Sequence, residues 1–335
     1  MRFVDAPYRL ADFHKVRDFL VDAYLAAGKP QGWDFTRWEM WTYTNHERKA
    51  DEEFFRKNGR LWRDGRGEIA GLFVSEGGRD FFSVLPRPGT PGIGEIMLDW
   101  AIAEWGRGKG RLKCEAYTFD KAGEALLVRR GFEAGQGLYH SWKFDLKNTA
   151  YQALLPDGFR VASILEHSDY KERCEVVSDA YNANAAGFTL EEYRWRCSAP
   201  GYRPEFDLSV ISPEGVFVSC CTGWLDERSR VAVVETVGTR RAYQNRGFAR
   251  QVVAECLKRL AAAGAQVALV TSYSEAAHRT YAALKPVERY DFRAYSCRPE
   301  SCKRGTLGTP LTRRLCLGRT TCGITMRKPF WRRCT

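Results

Sequence analysis

The sequence predicts an α/β protein made of two tandem copies of one fold, each a mixed, largely antiparallel sheet with a central parallel pair and helices on both faces. Three observations predict it. The chain has 335 residues, more than one core usually serves and enough for two. Signals in its first half recur in its second at an offset near 155 residues. In each copy a hairpin pattern comes before alternating strands and helices, so antiparallel pairing gives way to parallel pairing.

The elements follow in order. Tyr8-Arg9-Leu10 leads through an amphipathic stretch to Asp22-Ala23-Tyr24, and Phe159-Arg160-Val161 leads likewise to Asp179-Ala180-Tyr181; both openings read as strand then helix. Gly32-Trp33-Asp34-Phe35-Thr36 is echoed by Gly187-Phe188-Thr189, each followed by an aromatic-rich helix containing Trp38 or Trp195. Residues 59–74, with an Asp64-Gly65 turn, match residues 208–221, with a Pro213-Glu214-Gly215 turn, as two hairpins. A strand, a glycine turn, a helix, a strand, a helix and a last strand complete each copy. The expected divisions are 1–147, a linker at 148–158, 159–296 and a basic tail at 297–335.

Composition narrows the function classes. Hydrophobic residues make up 44% and charged residues 28%, near the average for folded soluble chains. No apolar signal-peptide core follows Met1-Arg2, and the most apolar long stretch, 252–270, contains Glu255, Lys258 and Arg259. The expected address is the cytoplasm, with no membrane partner. The net charge of +11 is concentrated in residues 297–335, where ten Lys/Arg face one acidic residue; that surplus of nine leaves +2 for the body. A nucleic-acid-binding face is therefore not expected on the body. Five of the eleven cysteines fall in this tail without a C-x-x-C pair, so no metal site is expected and free thiols are expected throughout. The tail reads as a poorly ordered extension, with a basic nucleic-acid arm and a translated out-of-family sequence as the other readings.

One turn carries chemistry. The apolar strand 231–239 ends at Arg240-Arg241-Ala242-Tyr243; Gln244-Asn245-Arg246-Gly247-Phe248-Ala249 follows, and then a helical pattern from Arg250 to Ala263. A strand turning tightly into a helix aims unpaired backbone N–H groups and the positive end of the helix dipole at one spot. Gly247 allows close approach, Ala249 adds little bulk, and Arg246 and Arg250 add positive charge, so the spot suits a phosphate. The bland alternative is an ordinary strand-to-helix turn.

These residues resemble the GNAT superfamily of acyl-CoA-dependent N-acyltransferases, whose pyrophosphate loop reads Q/R-x-x-G-x-G/A; Gln244, Gly247 and Ala249 match it. The family's second segment, N-x-x-A-x-x-x-Y, is similar to residues 274–281, with Ser274 in place of Asn and Tyr281 at the end. Lys285-Pro286 stands where Gly-Phe is usual. The resemblance covers most of 159–296 and implies acetyl-CoA as cosubstrate, no metal, and a primary amine of a small molecule or peptide as acceptor. It implies that Val237, Gly238, Thr239, Gln244, Asn245, Arg246, Gly247, Phe248, Ala249, Arg250 and Ser274 hold the cosubstrate, which lies where two parallel strands splay apart. Glu235 is the candidate base, directly or through water, with an exposed strand carboxylate or a salt-bridge partner as the alternative. Tyr281 is the candidate acid for the thiolate, with a buried structural tyrosine as the alternative. The oxyanion falls to amides near Val237 to Thr239. His278 reads as solvated or structural. A CoA-binding module without turnover is the rival function.

In the first copy, Gly92 and Gly94 align with the family glycines, but Gly89 replaces Gln, and Pro91 lacks an N–H. Asp80 falls at the Glu235 position and Leu127 at the Tyr281 position, so this copy lacks the acid. Its expected role is structural, as a wall of the acceptor pocket. Trp195, Tyr202 and Trp224 are candidates for that pocket or for core packing.

Overall fold

The computed structural model describes residues 2–43, 52–181 and 188–302. Its first half runs β1 (Val4–Pro7), α1 (Phe13–Ala27), α2 (Phe35–Tyr43), α3 (Glu52–Asn58), β2 (Gly59–Arg63), β3 (Ile69–Val74), β4 (Ser83–Pro86), α4 (Ile93–Trp100), β5 (Leu112–Tyr117), α5 (Lys121–Arg129), the short β6 (Glu133–Ala134) and β7 (Tyr139–Asp145). The second half runs β8 (Arg160–Ser163), α6 (Tyr170–Tyr181), α7 (Leu190–Cys197), β9 (Asp207–Ile211), β10 (Phe217–Asp226), β11 (Val231–Thr239), α8 (Phe248–Ala262), β12 (Val267–Ser272), α9 (Glu275–Ala282) and β13 (Glu288–Cys297). The mixed α/β fold is the one expected; the first half adds only α3 and β6 to the common order.

Local chemistry explains where the helices sit. Thr189 accepts a hydrogen bond from the Glu192 amide while Glu192 reaches back to the Thr189 amide, a capping box that starts α7. Along α8, Val252, Val253, Cys256, Leu257 and Leu260 form the buried stripe. Each large apolar side chain in it contributes about 1.5–3 kcal/mol by leaving water. The segment 148–158 is packed as well: Tyr151 lies in the second half's core, and the Leu154 amide donates to Gln251.

The last strand of each half lies on the other half. β1-β2-β3-β4 forms one sheet, and the other has the order β5-β13-β7-β12-β11-β10-β9-β8, with β6 on β13. β7, from the first half, is antiparallel to β12, while β13, from the second, is antiparallel to β5 and β7. A single parallel bridge, Phe81 to Lys113, links β5 to the residues just before β4.

Side chains tie the halves together further. Arg17 on α1 donates to Glu39 at 2.7 Å and to Asp226 of the second half at 2.8 Å, and the Gly201 amide donates to Glu39 at 2.6 Å. Around them Val21, Phe35 and Met40 pack with Trp224, Val231, Val233 and Leu269 in one apolar cluster.

Two expectations about the cysteines and the tail are answered differently. Cys297 and Cys302 form a disulfide, so free thiols are corrected at that pair; β13 and the turn after it bring them together, which spacing alone did not reveal. Both pack into the first half's core beside Cys114 and Phe132. The remainder of the basic tail, with Cys316, Cys322 and Cys334, lies outside the described residues, and so does Gly187. No helix among the described residues is long and apolar enough to cross a membrane.

Candidate functional site

β11 and β12 are paired in parallel only at Val231–Val267, Ala232–Ala268 and Val233–Leu269. Beyond Val233 they part, while β10 stays on the other edge of β11 as far as Thr239. The edge of β11 from Val234 to Thr239 therefore faces an opening instead of a strand. Gly238 lets α6 pack closely here, since a Cβ would come within 3.0 Å of Ala180 and 3.3 Å of a Tyr181 ring carbon. The Tyr181 hydroxyl donates to the Val237 carbonyl, and the Ser219 hydroxyl to that of Gly238.

At the end of β11 the chain makes one short turn, Arg241–Tyr243, and then enters α8. Asn245 and Gly247 take left-handed backbone angles, φ 60° and 83°. Gly247 is the N-cap, no side chain caps the helix, and a Cβ on Gly247 would meet nothing within 4 Å. Left-handed geometry costs an L-residue roughly 1–2 kcal/mol, which explains glycine better than any clash does. The first amides of α8 thus have no side-chain cap, and the helix dipole lies behind them. Gln244 donates to the Thr239 carbonyl at 3.2 Å and closes the turn, while the Arg246 guanidinium lies 5.3 Å from both the Tyr243 and Phe248 rings. Ala249 and Arg250 occupy the first turn of the helix.

Glu235 sits where the strands begin to part. Its carbonyl accepts from Trp224 Nε1 at 2.7 Å and from Arg196 at 2.8 Å, and Arg196 also donates to the Thr236 hydroxyl at 2.7 Å. These bonds hold the backbone and leave the carboxyl to the cavity. Burial first, then the Asp34 and Glu76 carboxylates, push that carboxyl up to about 7, against the pull of Arg37 and Arg196. Tyr281, on α9, is buried and lines the same cavity. Burial, followed by Cys221 and Glu235, raises its phenol well above the ordinary value, so it keeps its proton at neutral pH.

Ser274 caps α9, its hydroxyl accepting from the Ala277 amide at 3.3 Å. His278 pairs with the Ser272 hydroxyl at 3.0 Å and lies 4.2 Å from the His140 ring, away from the opening. Lys285 takes the left-handed angle, φ 56°, just past α9, doing without the glycine usual there.

The cavity of about 930 Å³ that contains Glu235 and Tyr281 is lined by residues of both halves. Its walls include Asp34, Arg37 and Trp41 of the first half, Tyr117 of β5, Tyr139 of β7 and Phe292 of β13. Two of its lining residues are joined by hydroxyl hydrogen bonds, Tyr117 to Ser141 at 2.9 Å and Ser141 to Thr271 at 3.0 Å. Burial opposes the charge on Arg37, but Glu76, Tyr273 and Glu115 more than offset this and raise its pKa. The sequence reading missed Asp34, Arg37 and Glu76. The echo of Gly32-Trp33-Asp34-Phe35-Thr36 marked the segment, yet nothing in it signalled that α2 would lie over the other half's strand. Trp224 and Tyr202 do not face the cavity: Trp224 is fully buried behind Glu235, and Tyr202 hydrogen-bonds Tyr193 and Asp207.

The first half repeats the frame with different contents. Gly92, at φ 80°, is the N-cap of α4. Asp80 is tied to Lys113 at 2.8 Å, and Leu127 is buried in the core.

A mixed sheet with a parted parallel pair and a glycine-started helix defines an acyltransferase-type fold, and the comparisons agree. Residues 171–285 match the model of the acetyltransferase (GNAT) family. The second half of the chain is thus a GNAT-family acyltransferase domain. The chain is similar in structure to a GCN5-related N-acetyltransferase from Sphaerobacter thermophilus, with a TM-score of 0.61 at 16% identity, covering 89% of this chain and 96% of that one. It is similar to a tandem GNAT protein from the clavulanic acid biosynthesis pathway, with a TM-score of 0.61 at 11% identity, covering 89% and 99%. A GNAT-family acetyltransferase from Colwellia psychrerythraea gives a TM-score of 0.54 at 11% identity, covering 88% and 99%. At these identities the likeness is one of fold. No curated protein matches the chain in sequence.

Proposed function

We propose that the chain transfers the acetyl group of acetyl-CoA to a primary amine by direct attack. The observation that carries this reading is the meeting of Glu235 and Tyr281 in one cavity, at the point where β11 and β12 part and next to the uncapped start of α8. The amides of Gly247, Phe248 and Ala249 suit a diphosphate, with Arg246 and Arg250 beside it. The free edge of β11 from Val237 to Thr239 suits the pantetheine arm and the oxyanion.

An amine reaches the site protonated and must lose a proton before it attacks. A carboxyl held near 7 is half ionised at neutral pH and takes that proton, directly or through one water. Attack on the thioester carbonyl forms the C–N bond, and collapse breaks the C–S bond. The departing thiolate, with an ordinary pKa of about 8.5, is stabilised by a hydrogen bond that the protonated Tyr281 hydroxyl donates to the sulfur as it leaves. The first half roofs the acceptor side with α2.

Thiol release from acetyl-CoA across a panel of amines tests this, with Tyr281→Phe alongside the wild type. Release that depends on the amine and falls in the variant is expected. Tight CoA binding without release with any amine would make the chain a binding module.

A further inference from the structure

The cavity does not end at the second half's machinery. It runs across β12, β7 and β13 to β5 and takes in Asp80, the first half's counterpart of Glu235. There its wall gathers four cations, Arg79, Lys109, Arg111 and Lys113, around Asp80, with Glu76 and Glu115 as further carboxylates of the same lining. Lys109 is half-buried, donates to the Gly78 carbonyl at 2.9 Å and lies 4.1 Å from the Trp105 ring centre. Burial lowers its pKa, and Asp80 offsets this only in part. Lys113 shares Asp80 at 2.8 Å.

The internal repeat supplies a control for this charge. At the 155-residue offset the same four positions are Val234, Gly264, Gln266 and Ala268, all neutral. One end of the cavity has a carboxylate able to accept a proton from an amine. The corresponding place in the other half has four cations. Of the other carboxylates in the lining, Glu115 is on β5 with Lys113, and Glu76 is held by Arg37 at 3.0 Å.

We propose that Arg79, Lys109, Arg111 and Lys113 form an anion-binding subsite for a phosphate at the far end of the acceptor, whose amine reaches Glu235. The inference rests on the amine-acylation reading. Four inter-strand steps separate β5 from β11, roughly 19 Å at about 4.8 Å each, so the acceptor is elongated. Guanidinium and ammonium donors make the strong, charge-assisted bonds that such a phosphate accepts. The vestigial active site thereby becomes the specificity end of the intact one.

The experiment uses the full chain, acetyl-CoA and a series of ω-aminoalkyl phosphates of increasing length, each beside the alkylamine of equal length. The expected result is a kcat/KM preference for the phosphate of at least tenfold that emerges only in the longer members. Arg111→Ala, at an exposed position, should collapse that ratio toward one; Arg111→Lys should keep most of it; and Arg107→Ala, outside the cavity, should leave it alone. The same phosphates titrated calorimetrically into CoA-loaded protein should bind more weakly to Arg111→Ala. No preference at any length, or equal binding by both proteins, overturns the subsite. A second CoA per chain that is lost in Arg111→Ala also overturns it, because the phosphate would then belong to the nucleotide. Absence of thiol release with every amine sinks the acylation reading instead, and the calorimetry still decides the subsite.

Discussion

Both halves place a left-handed glycine at the start of the helix after the parted strand, Gly92 at φ 80° and Gly247 at φ 83°. The glycine at the helix start is the same, but the loop before it is not. Its other left-handed residue is Asn245 in the second half and Gly89 in the first, and only the first half's loop contains a proline, Pro91, which removes an amide directly before the glycine. Glu235 is left to the cavity where Asp80 is bound to Lys113, and Tyr281 stands where Leu127 fills an apolar core. A fold keeps its frame through glycine and buried apolar side chains. Its chemistry depends on a few polar groups that the frame does not need.

Several changes would break or sharpen this contrast. The largest concerns whether the halves stand apart at all. Arg17→Ala leaves the buried Glu39 and Asp226 carboxylates without their cation, and a loss of about 3–5 kcal/mol in denaturant unfolding is expected. A loss under about 1 kcal/mol would show that the halves do not depend on this contact. Next, Tyr281→Phe should lower kcat about 10²-fold with CoA affinity kept. Leu127→Tyr in the first half should add no turnover, since Asp80 remains ion-paired.

A smaller effect is expected at the turns. Gly247→Glu brings an anion and backbone strain to the start of α8, and CoA binding by calorimetry should weaken at least tenfold. Gly92→Glu should leave it unchanged, and equal losses from the two would place nucleotide in both halves.

The smallest effect is on pH. With a base held near 7, kcat/KM should rise with pH and level off above that value. Asp34→Asn removes a like charge, so the limb should move to lower pH. The shift is partial, because burial is the larger cause and stays. An unmoved or upward-shifted limb would take Asp34 out of the base's surroundings.

The sequence by itself determined the repeat, the hairpins, the strand-turn-helix of residues 231–263 and the identities of Glu235 and Tyr281 as candidates. Each of these is written in neighbouring residues, through periodicity, turn chemistry or a short motif. Only the tertiary structure decided that β7 and β13 trade places, that Asp34 and Arg37 of one half look onto Glu235 of the other, and that Cys297 meets Cys302. An antiparallel strand offers the same hydrogen-bonding edge to its own half and to its neighbour, so local pattern cannot choose between them; the choice is made by packing between residues far apart in the chain.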